Sequence, residues 1–337
     1  MDFFGLDIGS HNIKIVKLAR KQDKYFLSAF GVAPSTSKGL LSEAESDLVT
    51  LAEIIKKLYQ ETKIKTKNVA AALPQDQVFV RVVTLPPLSE GELESALKWE
   101  AEQYVPLPLE EVVLTHEVVG KIKEDSKEKI DVLLAAAPKS LIEKTIKVLK
   151  LAGLNPVSLE MEITAMARSL VSSDLKSVLL VDLGAKATDL AVVENGQVVF
   201  VHSISTGGEA LTRAVEMELN LDPTQAEAYK KAYGVKAEEL EGKISSAINP
   251  VLEVIIGEIE KTIRFYQTKG KILKVVILAG GTANLPEAAN VLAERLNLEV
   301  QVGNPFSQVV EDGLLTKIPP SDLPLYAVAV GLAMKEI

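Results

Sequence analysis

A ten-residue pattern occurs twice in this chain, once near the N-terminus and once past the middle, and few folds accommodate it. Asp7-Ile8-Gly9-Ser10-His11-Asn12-Ile13-Lys14-Ile15-Val16 lies over Asp182-Leu183-Gly184-Ala185-Lys186-Ala187-Thr188-Asp189-Leu190-Ala191, and each copy follows an apolar strand and runs on into further apolar residues. Two strands joined by a tight glycine turn signal a hairpin. The same hairpin met twice marks a duplicated molecule, one copy opening each lobe. A chain of 337 residues suits that division, since single hydrophobic cores rarely grow beyond about 250 to 300 residues.

With 47% hydrophobic and 25% charged residues, the chain has the make-up of an ordinary globular protein. Its net charge of −9 provides no general cationic surface for nucleic-acid phosphates or anionic lipid. Cysteine is absent, which excludes disulfides and thiolate metal sites. His11, His116 and His202 are too scattered for a structural zinc site. Met1-Asp2-Phe3-Phe4 runs directly into a strand, with no secretion signal, and no apolar stretch approaches the roughly 20 residues that span a bilayer. The expected location is cytoplasmic, with any membrane association supplied by a partner.

Between the two copies, the patterning predicts strands over 78–84, 112–119, 130–136 and 154–161, and helices over 89–104 and 140–152. Capping boxes are expected at Ser89 with Glu92 and at Ser140 with Glu143. This β-α-β-β-α-β order resembles a small ferredoxin-like insertion, with the charged run 121–129 at a solvated hairpin tip. Beyond the second copy, helices are expected over 208–219, over 223–233 behind an Asp222 cap with Gln225, and over 240–268. Gly234 and Gly270 are the expected stops. A buried strand over 274–278 and a last apolar helix over 323–334 complete the pattern.

A nucleoside triphosphate with Mg²⁺ needs backbone N–H groups close to phosphate oxygens and carboxylates aimed at the metal through its water shell. Gly9 and Gly184 remove the side chain where each hairpin turns. Ser10 adds a hydroxyl donor, and Lys14 has the reach to bring an ammonium to the β- and γ-phosphates. Asp7 and Asp182 each end an apolar strand, an uncommon place for a carboxylate unless it faces a cleft or caps a turn. Either one alone also fits an Asx turn opening a hairpin; two in corresponding places argue for carboxylates meeting across a pseudo-twofold cleft. The stretch Ile277-Leu278-Ala279-Gly280-Gly281-Thr282-Ala283-Asn284-Leu285-Pro286 leads from a buried strand through a double glycine to a helix start. It fits a loop lying flat against a purine or an α-phosphate, and an ordinary strand-to-helix turn equally well.

Together these stretches resemble the actin, heat-shock ATPase and sugar-kinase superfamily over nearly the whole chain. Residues 5–16 resemble its first phosphate loop, 181–193 its second, 277–286 its adenosine loop, and 159–167 and 326–333 its two connecting helices. The insertion is similar to that of the FtsA and PilM families. Leu85-Pro86-Pro87-Leu88-Ser89-Glu90-Gly91-Glu92-Leu93, continued by Trp99-Glu100-Ala101-Glu102-Gln103-Tyr104-Val105-Pro106, resembles the PilM family specifically.

The fold class so implied is α/β, a duplicated actin-like (ribonuclease H-like) ATPase fold with two lobes around a nucleotide cleft and a ferredoxin-like insertion in the first lobe. Its expected division is a first-lobe core 1–77 (subdomain 1A), completed by 157–176 and 323–337, and an inserted subdomain 1C, 78–156. A second-lobe core (2A) spans 177–206 and 271–322, and a helical subdomain 2B spans 207–270.

The resemblance further implies that Asp7 and Asp182 hold hydrated Mg²⁺ and that Gly9, Ser10, His11, Asn12 and Lys14 meet the phosphates of ATP or ADP. Gly184, Ala185, Gly207 and Gly208 are placed near the nucleotide, and Gly280, Gly281 and Thr282 on its adenosine side. Glu258 and Lys261, one helical turn apart, are candidates for ribose or base, and fit a plain surface ion pair as well. Glu162 is the candidate to orient water for hydrolysis, with Glu160 the fallback; either also fits as a carboxylate favoured at a helix start. Ala185 stands where many members have a hydroxyl or glycine, so a conformational clamp with at most slow ATP turnover is the expectation.

PilM-like proteins receive a short peptide from the N-terminal cytoplasmic tail of the membrane protein PilN in the groove between first lobe and insertion. The resemblance therefore implies a PilN-binding scaffold of type IV pilus assembly, peripheral to the inner membrane through its partner. One alternative is a small-molecule kinase, for which Asp76 is the nearest acid or base but reads as a loop residue. The other is an FtsA-like filament former, whose usual linker and basic amphipathic tail do not follow Lys335-Glu336-Ile337 here. Self-association stays open.

Overall fold

The structure, a computed structural model, describes residues 1–124, 127–311 and 313–336, with backbone alone for 122–124 and 127. The chain opens with β1 (Phe4–Ile8), β2 (Asn12–Lys21), β3 (Lys24–Pro34), α1 (Glu45–Thr62) and β4 (Asn68–Leu73). Next come β5 (Phe79–Leu85), α2 (Glu90–Tyr104), β6 (Val112–Glu124), β7 (Lys127–Pro138), α3 (Lys139–Leu151), β8 (Asn155–Met161) and α4 (Glu162–Leu170). The second half runs β9 (Ser177–Leu183), β10 (Thr188–Glu194), β11 (Gln197–Ile204), α5 (Gly208–Leu219), α6 (Pro223–Tyr233) and α7 (Lys243–Thr268). It ends with β12 (Val275–Ala279), α8 (Ala288–Leu296), β13 (Glu299–Val302), β14 (Val309–Val310) and α9 (Ala327–Ala333).

The duplication holds at the level of sheets. The first lobe carries the order β14-β3-β2-β1-β4-β8 and the second β11-β10-β9-β12-β13, so five strands correspond one to one. In each lobe the strand ending in aspartate pairs antiparallel with its hairpin partner and parallel with the next strand, β1 with β2 and β4, β9 with β10 and β12. β1 and β12 are buried at every residue, which is why β12 reads as an unbroken apolar run and β1 as one interrupted only by Asp7.

The inserted sheet differs from the expectation. It has three strands, in the order β5-β7-β6, covered by α2. β8, expected to close that unit, instead extends the first-lobe sheet by pairing parallel with β4 from Asn68↔Asn155 to Leu73↔Met161. α3 goes with it, because Val148, Leu149 and Ala152 bury themselves among Phe4, Ile55 and Val69 of the first-lobe core. The duplicate explains the division: α3 and β8 occupy the places in the first lobe that α8 and β13 occupy in the second.

The expected boxes at Ser89 with Glu92 and at Asp222 with Gln225 are present. That at Ser140 is not, because α3 starts directly after Pro138 and takes Ser140 inside its first turn. The long helix begins at Lys243, since Leu240 and Glu241 adopt left-handed backbone within a 3-10 turn. The last helix is shortened too. Pro320–Tyr326 forms a 3-10 segment containing Pro324, and prolines lack the N–H an α-helical ladder requires. Of the charged run 121–129, the paired backbone confirms the hairpin, while Asp125 and Ser126 at its tip lie outside the described residues.

Two short helices, α4 and α9, join the lobes. They cross at Ala165 and Gly331, so close that a Cβ on Gly331 would fall inside the Ala165 carbonyl oxygen. Ser169 donates to Ala327 O at 2.7 Å, and Arg168 donates to Gly331 O at 2.7 Å. Arg168 also makes a two-pronged contact with Glu160, at 2.8 and 3.0 Å, and Lys335 donates to the same carboxylate at 2.7 Å. Burial alone would raise the Glu160 pKa, but these two cations outweigh it and hold the carboxyl below its ordinary value. Around this crossing one apolar core takes residues from both lobes, including Ala70, Met166, Leu180 and Leu332.

Replacing Gly331 by alanine is expected to cost about 1–3 kcal/mol in a urea melt, whereas Met217→Ala, at a side chain 78% exposed, leaves the midpoint unchanged.

Candidate functional site

Both glycine hairpins open onto one cleft. Asp7, Gly9, Ser10, His11, Asn12 and Lys14 line it from the first lobe, and Asp182, Gly184, Ala185, Gly280 and Gly281 from the second. Glu162, in the first turn of α4, forms part of its floor with Ala327 and Val328 of α9.

The register explains the charges. Asp7 stands across from Lys14, whose ammonium donates to Asp7 Oδ2 at 2.9 Å; the Asp7 side chain is 5% exposed and its Oδ1 is buried with no partner. The corresponding pair in the second hairpin is Asp182 across from Asp189, two acids. Burial first, then repulsion from Asp189 and Asp7 against a smaller pull from Lys14, pushes Asp182 up to about 7. Burial also takes Asp189 to about 6, against a hydrogen bond from Ser203, with Asp76 adding repulsion. Glu162 is raised well above the ordinary glutamate value by burial and by Asp7, Asp189 and Asp182 together, although the Gln75 N–H donates to its Oε2 at 2.9 Å.

The remaining expected residues divide by position. Gly207 and Gly208 lie behind the second hairpin, where Gly208 N and Glu209 N donate to Gly184 O and Ala185 O at 2.9 and 2.8 Å. Thr282 N donates to Leu183 O at 3.1 Å, and a Cβ on Gly208 would collide with the Thr282 hydroxyl. Gly280 is required twice over: its φ is +87°, and a side chain there would strike the Asp182 carboxylate. Glu258 and Lys261 are elsewhere, paired with each other at 2.6 Å on α7, with His202 of β11 3.4 Å from Glu258. Glu160 is spent on the hinge contacts described above and is absent from the cleft wall.

Three features were not foreseen. Asp189 is the register partner of Asp182, and the alignment of the hairpins, which sets it opposite Lys14, carried that signal. Asp76, read as a plain loop residue, lines the cleft. Glu227 and Lys230 on α6 pair at 2.6 Å, and Lys230, 4% exposed, donates to Gly208 O at 3.0 Å and Thr212 Oγ1 at 2.9 Å. This pair has the same one-turn spacing as Glu258 and Lys261 but sits against Gly208, beside Thr282; burial pulls the Lys230 ammonium below its usual pKa despite Glu227.

The donor set fits a hydrated divalent cation. Among the described residues no three acid or imidazole groups are close enough to coordinate a metal directly. Yet the orphaned Asp7 Oδ1 and the mutual repulsion of Asp182, Asp189 and Glu162 mark where positive charge relieves the site. Mg²⁺ keeps several waters and binds in this indirect way.

Two lobes built on the same five-strand order, hinged by crossed helices over a cleft and carrying an insertion in the first lobe, define an actin-like protein. The family model described as type IV pilus assembly protein PilM matches residues 5–337, and the chain belongs to that family. It is similar to a chain of a solved PilM-PilN type IV pilus biogenesis complex, with 30% identity, a TM-score of 0.85, and 99% of this chain and 98% of that chain covered. The cell division protein FtsA of Streptococcus pneumoniae serotype 2 (strain D39 / NCTC 7466) is 23% identical over 348 residues, 89% of this chain and 75% of that protein. MreB 5 of Spiroplasma citri, solved bound to AMPPNP, shares the fold at 15% identity and a TM-score of 0.53, over 98% and 94% of the two chains.

Asp182 and Asp189 hold protons more tightly folded than unfolded, so their contribution to stability is complete below about pH 4 and is lost as pH rises through about 6 and 7. In EDTA the melting temperature is expected to fall between about pH 4 and 7, and excess Mg²⁺ to reduce that fall; an unchanged slope with Mg²⁺ removes the cation from this site.

Proposed function

We propose that this chain is an ATP-responsive scaffold of type IV pilus assembly, binding ATP or ADP with Mg²⁺ in the cleft and an N-terminal cytoplasmic peptide of PilN between first lobe and insertion. The observation that carries the first part is the orphaned Asp7 carboxylate oxygen facing a cleft of like-charged acids. The second part is supported by similarity over 99% of the chain to a PilM-PilN complex.

In this reading Asp7 and Asp182 hold the cation through its waters, with Asp189 setting the charge behind Asp182. Bound there, Mg²⁺ neutralises phosphate charge. Lys14 and the turn residues Gly9, Ser10, His11 and Asn12 meet the phosphates from the first lobe, and Gly184 and Ala185 from the second. Gly280, Gly281 and Thr282 lie toward the nucleoside, where Glu227 and Lys230 replace Glu258 and Lys261 as the polar pair. Glu162, anchored by the Gln75 N–H, is placed to hold a water. Its raised pKa and the missing hydroxyl at Ala185 favour slow turnover, so lobe closure is the main effect of binding.

No helix among the described residues is long and apolar enough to cross a membrane. The proposed place of the chain is the cytoplasmic side of the inner membrane, held there by the PilN tail. An extended tail adding to a strand edge suits such a groove.

Calorimetry with MgATP is expected to give saturable binding that Asp182→Asn weakens at least about tenfold, the loss of one charge-assisted contact. Glu162→Gln is expected to keep that affinity and lose residual turnover. A synthetic PilN tail from the same genome is expected to bind the folded protein saturably; failure to do so refutes the scaffold assignment.

A further inference from the structure

Lys186 follows Ala185 in the β9–β10 turn and lines the cleft. Its ammonium crosses to the first lobe and donates to Ser37 O at 2.7 Å. Ser37 belongs to the segment joining β3 to α1, whose next residues, Lys38, Gly39, Leu40 and Leu41, line the same cleft. In the reverse direction, His11 of the first hairpin lies 3.8 Å from Glu209 in the first turn of α5. Each hairpin tip therefore reaches the opposite lobe.

Charge distinguishes Lys186 from Lys14. The Lys14 ammonium is already committed to Asp7 at 2.9 Å, so that pair brings no net positive charge to the cleft. Lys186 pairs with no carboxylate among the described residues; the acceptor it has is a neutral carbonyl. An ammonium carries three N–H donors, and this contact uses one. A polyphosphate entering a cleft already lined by Asp7, Asp182, Asp189 and Glu162 needs uncommitted positive charge, and Lys186 supplies it from the hairpin whose neighbouring residue, Ala185, has no donor side chain.

We infer that Lys186 is a phosphate-binding residue whose ammonium holds Ser37 O and the terminal phosphates of the nucleotide at once, tying the first lobe's cleft-covering segment to the ligand. The inference rests on the nucleotide reading above. Because Lys14 and Lys186 come from different lobes, phosphates held by both oppose opening of the cleft, and the rate of nucleotide release reports the tie.

The test titrates ATP, ADP and adenosine, each with Mg²⁺, into wild type, Lys186→Ala, Lys186→Arg and the surface control Lys57→Ala on α1, and follows release of a fluorescent ATP analogue by stopped flow. Lys186→Ala is expected to weaken ATP and ADP by about tenfold or more, to speed release by a similar factor, and to leave adenosine unchanged. Lys186→Arg recovers most of the affinity, and Lys57→Ala matches wild type. Equal losses for ATP and adenosine, or no loss for either, overturn the inference. If the alanine variant melts early, Lys186→Gln carries the same comparison. A wild type that binds none of the three ligands withdraws the nucleotide reading itself, whereas normal ATP binding with an indifferent Lys186 withdraws only this assignment.

Discussion

Position by position, the two hairpins share a backbone and differ in charge. Lys14 stands across from Asp7 and neutralises it; Asp189 stands across from Asp182 and does the opposite. The second lobe thus delivers two buried acids to a cleft where Glu162 already adds a third, and burial first, with repulsion from neighbouring acids added, lifts all three above the ordinary carboxylate range. A cluster of this kind costs folding energy unless protons or cations occupy it. Strained charge in one place, with a buried Asp7 oxygen left unpaired, is the signature of a site built for a positively charged ligand.

That cluster depends on the hinge. Gly331 lets α9 lie against the Ala165 carbonyl, and a Cβ on Gly5 of β1 would likewise strike the Ala329 carbonyl, so the two connecting helices sit directly on the first-lobe sheet. Glu160, Arg168 and Lys335 fasten the same crossing with charge instead of close packing. The cleft floor, Glu162 with Ala327 and Val328, comes from these helices. The helix crossing and the geometry around Glu162 are therefore one packed element, and the Lys186 bridge to Ser37 lies at the tip of the second hairpin.

Most of the cleft was legible in the sequence because it rests on local chemistry repeated twice. Asp7, Gly9 and Lys14 in one copy, and Asp182 and Gly184 in the other, announce hairpins whose register needs no tertiary information. What the sequence left undecided required knowing what a segment packs against. β8 and α3 carry the composition of an insertion, yet the parallel edge of β4 and the pocket beside Phe4 and Ile55 claim them. Glu258 with Lys261 and Glu227 with Lys230 are equivalent as sequence; only the position of α6 beside Gly208 separates a pair with a buried lysine from a surface one. Asp76 depended on how the loop after β4 turns toward Glu162, a path set by the Gln75 N–H contact and invisible to spacing.

If these acids are held for a cation and its nucleotide, binding displaces the protons they carry, and those protons can be counted. MgATP titrated near neutral pH in buffers of differing ionisation heat reports the protons exchanged on binding. With Asp182 at about 7 and Asp189 at about 6, net proton release is expected, diminished in Asp182→Asn. Binding without proton release, or no binding by the folded protein, contradicts it.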